Sequence, residues 1–312
     1  MDSAVEKHCV ELIALERSGH TAVVEGNALH VWGGYMSTAG SEVFLPSDEI
    51  WLYDLQRGVW EMCQMSGEIP PPMSGTCSCF LNGHMYIFGG YDDMGQTNQL
   101  YRVNLLDGDY SWKKVKAESG SPPSPRDKLC CWVFNNRSVT YNITMQHPLQ
   151  NCYKQEDSQG SNDTSKGILV STSTVPGGRS WHSLTAVSDN TLFLFGGLNV
   201  DCKPMSDRWV LDVDTKTWRE FDHPNNNKPR LWHTASQAKD SDVIVFGGSC
   251  DYVLLGHSND ALVFQTQPYP LFRICVDCIA KNVNNCKMLQ NQLPYLPQKL
   301  LEAVQRRTSR NI

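Results

Sequence analysis

The sequence predicts an all-β fold, a propeller of radially packed four-stranded sheets, followed by a short α-helical tail. Three observations point there. Double glycines recur at Gly33-Gly34, Gly89-Gly90, Gly196-Gly197 and Gly247-Gly248, each closing an apolar strand that ends in an aromatic residue. A polar-led strand follows each pair, and in three copies a tryptophan stands about eight residues further on, at Trp60, Trp112 and Trp218. After residue 268 the apolar spacing changes to the four-residue steps of a helix.

The strands before the glycines read LHVWGG, MYIFGG, LFLFGG and VIVFGG. Upstream of each lies another short β pattern, RSGHTAVV, MSGTCSCF, RSWHSLTAV or RLWHTASQ, separated from it by turn residues such as Gly26-Asn27 and Asn82-Gly83, so the two form a hairpin. The third strands are DEIWLYDL, NQLYRVNL, SDRWVLDV and SNDALVFQ, and the tryptophan marks a fourth. One such sheet cannot bury both faces, whereas radially packed copies bury each other's. Repeat starts run from Arg17 through Met73, Arg126 and Arg179 to Arg230, with spacings between 51 residues (Arg179 to Arg230) and 56 (Arg17 to Met73).

The frame that begins RDKLCCWVF is defective, because no Gly-Gly follows Phe134. Residues 137 to 176 are rich in Ser, Asn, Gln and Asp; Val139 to Ile143 alternates like a strand, and the rest reads as loop. The chain therefore divides into a propeller over 1–267, in which 137–176 is degenerate or disordered, and a helical tail over 268–312.

Composition narrows the function. With 27 basic and 33 acidic residues the chain lacks the positive field that a phosphate backbone requires, so nucleic acid is not an expected partner. No apolar run reaches the 18 residues of a membrane span and the N-terminus does not read as a secretion signal, so a cytoplasmic protein, with the nucleus as a second location, is expected. The twelve cysteines are then reduced thiols, and the sequons at Asn136, Asn142 and Asn162 are chance matches. Cys275 and Cys278 have CxxC spacing, but nothing completes a tetrahedral set, and they read as helix-face residues.

Within the repeat, the frame R-x-x-H places His20, His182 and His233 at equivalent positions, with departures at Thr76 and Leu129. A metal ring is conceivable there, but buried hydrogen-bonded histidines are the better reading, and neither a cofactor nor catalysis is expected. The slot before the last residue of the frame varies: Gly19, Gly75, Lys128, Trp181 and Trp232. Equivalent slots face one rim of the axial channel, so these five make a cup with aromatic walls and one cation. Such a cup suits an extended peptide end with an apolar body and a negative terminus, unless the tryptophans simply plug the channel.

The strand, Gly-Gly and Trp pattern resembles the kelch repeat, and ERSGH, VWGGY, FGGYDD, PRDKL, GRSWHSL, PRLWHTA and FQTQPYPL extend the likeness to kelch-domain substrate receptors with six blades. Against that pattern this chain lacks most of a third blade and all of a fourth. The resemblance implies capture of substrate C-terminal tails ending in Gly-Gly by Lys128, Ser180, Trp181, Trp232, Leu254 and Leu255. It also implies two carboxylate-clamping arginines and a pocket tyrosine that fall in the missing stretch. Binding much weaker than in a complete relative is then expected unless another base, Arg179 first, reaches the carboxylate.

In the tail, Pro270, Leu271, Cys275 and Ile279 resemble the elongin-binding box of ubiquitin-ligase receptors, and Leu296, Pro297 and Leu300 resemble the cullin-2 box that follows it. The expected function is a non-catalytic substrate receptor of a cullin-2 RING ligase with elongin B/C as partner. The alternatives are a kelch scaffold that engages elongin without binding a degron, and, less favoured, a propeller oxidase, for which no His and Tyr ligand cluster is visible.

Overall fold

The computed structural model describes residues 12–38, 41–116, 122–128, 130–134, 137–141, 175–221, 228–250, 256–283 and 286–308. The first blade is an antiparallel meander of Thr21–Glu25, Ala28–Trp32, Glu49–Asp54 and Trp60–Gln64. The second repeats it with Cys77–Leu81, His84–Phe88, Leu100–Asn104 and Ser111–Val115, and its outer strand pairs in parallel with Ser66–Gly67. The penultimate blade has Ser183–Ser188, Thr191–Asn199, Pro204–Asp212 and Thr217–Glu220. The last has Thr234–Gln237, Asp242–Phe246 and Ala261–Gln265. Asn82 and Gly83 close their hairpin with both φ angles positive (50° and 79°), the conformation that lets a two-residue turn follow the strand twist.

Between the second and penultimate blades, Cys130–Phe134 pairs with Arg137–Tyr141 as a two-stranded hairpin. The strand begins two residues earlier than the alternation over Val139–Ile143 suggests, so the opening of the 137–176 segment is ordered β structure. Residues 142–174 of that segment lie outside the described residues.

The innermost strands stand side by side in the order Cys130–Phe134, Cys77–Leu81, Thr21–Glu25, Thr234–Gln237, Ser183–Ser188. The second glycine of each pair joins neighbours: Gly34 N–H donates to Met73 O (3.0 Å), Gly90 to Arg126 O (2.9 Å), Gly197 to Arg230 O (2.8 Å) and Gly248 to Arg17 O (2.8 Å). Every bond runs from one blade to the first residue of the next repeat, and the last returns to the first blade. The defective frame, having no Gly-Gly, has no donor of this kind to offer.

Aromatic residues fill the spaces between blades. Trp112 of the second blade meets Trp32 of the first at 5.4 Å between ring centroids, and Trp60 of the first meets Phe246 of the last at 5.0 Å. Three frame arginines, Arg17, Arg179 and Arg230, are buried, each with an acid in or just before the third strand of its own blade, whereas Arg126 is half-buried and bonds Ser124. Arg179 holds Asp207 through two contacts of 2.6 and 2.7 Å, Arg230 lies 3.4 Å from Asp260, and Arg17 is beside Glu49. Desolvation lowers the Arg17 pKa to about 10, with Glu49 opposing. Where the second blade has Met73 in place of arginine, it has Gln99 in place of the acid, so charge is lost from both sides together.

The tail folds as α1 (Leu271–Val283), α2 (Lys287–Gln292) and α3 (Gln298–Thr308). The carbonyl of Pro297, just before α3, accepts from the N–H groups of Leu300 and Leu301. None of the described helices is long and apolar enough to cross a membrane.

Candidate functional site

The five variable slots form one structure. Lys128 N–H donates to Gly75 O (2.8 Å), Gly75 to Gly19 O (2.8 Å), Gly19 to Trp232 O (3.1 Å) and Trp232 to Trp181 O (3.2 Å). All five residues are left-handed, with φ between 54° and 68°. Glycine adopts this readily; a side chain there costs about 1–2 kcal/mol, so Lys128, Trp181 and Trp232 hold strained positions on the rim.

Lys128 Nζ stands 5.5 Å from the Trp232 ring centre and 5.9 Å from that of Trp181, within cation–π range, and the two indoles are 4.3 Å apart. The lysine is about half exposed and its nearest anion, Asp127, is 3.9 Å away, so its charge is weakly committed. Ser180 lies half-buried on the short strand Arg179–Ser180 that leads into Trp181. The geometry therefore brings Lys128, Trp181 and Trp232 together, with Ser180 next to Trp181 in the chain, while Leu254 and Leu255 lie outside the described residues.

Two members went unread in the sequence. Tyr35, directly after Gly33-Gly34, is buried with its ring 6.1 Å from Trp232 and 5.6 Å from His257, and burial raises its pKa, keeping the phenol protonated. Its hydroxyl and Trp232 Nε1 have no hydrogen-bond partner among the described residues. His257 binds Ser18 Oγ at 2.7 Å. The signal for Tyr35 was the aromatic after the double glycine, but only Tyr91 repeats it, and Tyr91 is about half exposed.

Arg179 is not available to a ligand. It is 3% exposed and occupied by Asp207 and by the carbonyls of Gly177 and Gly196, which corrects its candidacy for a carboxylate. Burial alone would raise the Asp207 pKa, but the bonds from Arg179 and Trp209 hold it below the usual carboxylate range.

The frame histidines join blades. His20 Nε2 pairs with Thr234 Oγ1 (2.9 Å) and His233 Nε2 with Ser183 Oγ (2.8 Å), each hydroxyl being the residue after the preceding blade's frame histidine. Desolvation pushes their pKa values down, to about 4 for His182, to about 3 for His233 and well below the usual range for His20. They are thus neutral near pH 7. Among the described residues no group of three or more His, Cys, Asp or Glu is arranged to hold a metal, and Cys275 and Cys278 carry free thiols.

On the tail, α1 leaves Leu271 75% exposed and also exposes Phe272 and Ile274, while Cys275 and Ile279 are half-buried and Val276 and Val283 face inward. Pro297 is exposed, and Leu296 and Leu300 are half-buried.

A family profile described as the KLHDC2/KLHL20/DRC7 Kelch-repeats domain matches residues 19–142 and 161–274; that description names repeats and no reaction. The chain is 40% identical to Kelch domain-containing protein 1 of Mus musculus and of Homo sapiens, in each case over 94% of this chain and 90% of the relative. It is 31% identical to Kelch domain-containing protein 2 of Bos taurus, over 95% and 91%. The first two alignments run to 368 positions, more than the 312 residues of this chain, so those relatives carry internal residues that it lacks. The repeats, the blades they build and these matches lead to one conclusion: the chain belongs to the kelch-repeat family, in the group of Kelch domain-containing proteins 1 and 2.

Proposed function

We propose that this chain is a substrate receptor of a cullin-2 RING ubiquitin ligase that takes C-terminal peptide tails of the Gly-Gly type into the axial cup. The observation that carries the reading is the cup itself: a weakly committed ammonium beside two indoles 4.3 Å apart, on a rim whose other two slots are glycine. A C-terminal carboxylate satisfies the cation, and a terminal Gly-Gly passes between close walls without a Cβ.

In this reading α1 docks elongin B/C through Leu271, Cys275 and Ile279, and Leu296, Pro297 and Leu300 contact cullin-2. The exposure of Leu271, Phe272 and Ile274 supports it, since contiguous exposed apolar side chains mark interaction surfaces. The test is a pull-down of elongin C from lysate: the parent chain retrieves it, and a chain carrying Leu271→Ala with Cys275→Ala does not while keeping the parent's folded spectrum. Equal recovery would remove the assignment. A scaffold that docks elongin without taking a tail is the second reading, favoured by the frame that carries Lys128, which lacks the Gly-Gly of the other four.

A further inference from the structure

We infer that Arg273 is a latch that fixes the angle between the helical tail and the propeller. The inference deepens the proposed function, because a receptor has to present its pocket at a set orientation to the assembly its tail docks.

The helices share little apolar core with the blades. Among the described residues, none of the three clusters of buried apolar side chains includes a residue of α1, α2 or α3. A cavity of about 540 Å³ occupies the seam instead, with Phe272, Val276 and Ala303 on the helical side and Leu55, Ile244 and Val263 on the blade side. Apolar burial, the usual means of fixing one element on another, is therefore thin here.

Charge bridges the seam. Arg273 is 21% exposed and reaches back to the last blade, placing Nη1 3.0 Å from Asp240 and Nη2 2.8 Å from Asp242. Its guanidinium lies 3.7 Å from the ring centre of Tyr269, in the segment joining blade to helix. On its own helix it is 3.9 Å from Asp277, which in turn binds Arg307 of α3 at 2.8 Å. One chain of charges thus runs from blade to α1 to α3. The blade side is shaped for it: Asp240 and Ser241 are both left-handed, with φ of 60° and 61°, in the turn that presents Asp240. Two consecutive strained non-glycine residues persist where the surroundings hold them: Arg273 meets Asp240, and the Thr266 hydroxyl donates to the Ser241 carbonyl.

The test is hydrogen exchange of the full chain, comparing Arg273→Gln with the parent. Expected is at least tenfold faster exchange in α1 and α3, no change at Leu192 to Phe195, and elongin B/C affinity within twofold of the parent. Arg273→Lys, which keeps one charge but not the two-pronged contact, should fall between. Unchanged helix exchange in Arg273→Gln would overturn the latch. If that variant also loosens the blades, Asp240→Asn decides, since it keeps the Arg273–Asp242 pair: helix exchange about threefold faster with blades unchanged supports the latch, and unchanged helices overturn it. Failure of the parent itself to bind elongin would strike the docking assignment and leave the exchange result to decide the latch separately.

Discussion

Gly75 donates its backbone N–H to the carbonyl of Gly19 at 2.8 Å, and the same bond recurs from Lys128 to Gly75, from Gly19 to Trp232 and from Trp232 to Trp181. The five slots thus form a hydrogen-bonded arc of left-handed residues, glycine in two places and strained side chains in three.

Strain at Lys128 predicts a conflict between stability and function. Lys128→Gly and Lys128→Ala both remove the ammonium, but only glycine relaxes at φ 57°. Lys128→Gly should be more stable than Lys128→Ala by about 1 kcal/mol in urea unfolding, with both failing to bind a tail peptide. Equal stability would mean that the lysine backbone is not strained.

The second glycine of each pair is held by space as well as by its hydrogen bond. A Cβ on Gly197 would lie 2.5 Å from Ser180 O and 2.9 Å from His182 Cβ, whereas one on Gly26, also left-handed, meets nothing within 4 Å. Gly197→Ala should cost about 3 kcal/mol or more and Gly26→Ala about 1 kcal/mol, read from denaturant midpoints.

The repeated glycines, arginines and histidines were legible because each recurs in register, so position alone reports role. The five-residue cup followed from aligning the copies. What escaped was either single-copy or nonlocal. Tyr35 acts alone, and its unpartnered hydroxyl shows only once Trp232 is beside it. Arg179 reads as a free cation until the third-strand register brings Asp207 onto it. Arg273 sits in an amphipathic helix where a charge reads as solvated, and nothing in the spacing pairs it with Asp240, 33 residues upstream.

Removing one side of the Arg179–Asp207 pair should be costly, because the arginine is buried and its partner would keep a poorly compensated charge. Arg179→Met is expected to destabilise by about 3 kcal/mol, and Arg179→Met with Asp207→Asn by less than the single change. Additive losses would contradict a coupled pair.

The histidines make stability depend on pH. His30, His182 and His233 have folded pKa values pushed to about 4, 4 and 3, and His20 lies well below the ordinary 6.5, all through desolvation first. The unfolded chain therefore binds more protons below pH 6.5, and stability is full above that pH and falls as pH drops through it toward the folded values. Each contributes a loss of about 1 kcal/mol between pH 7.5 and 5.5, on the order of 3–5 kcal/mol together, measurable as a lower urea midpoint. An unchanged midpoint would show that these rings charge freely in the folded state.

The proposed function requires the cup to recognise a peptide's terminal carboxylate through Lys128. The direct measurement is a calorimetric titration of the full chain with a peptide ending in Gly-Gly, as free acid and as C-terminal amide, repeated with Lys128→Met. Expected are at least tenfold weaker binding of the amide to the parent, a similar loss for the acid on Lys128→Met, and little further difference between acid and amide on that variant. Equal affinity of the parent for acid and amide would contradict it.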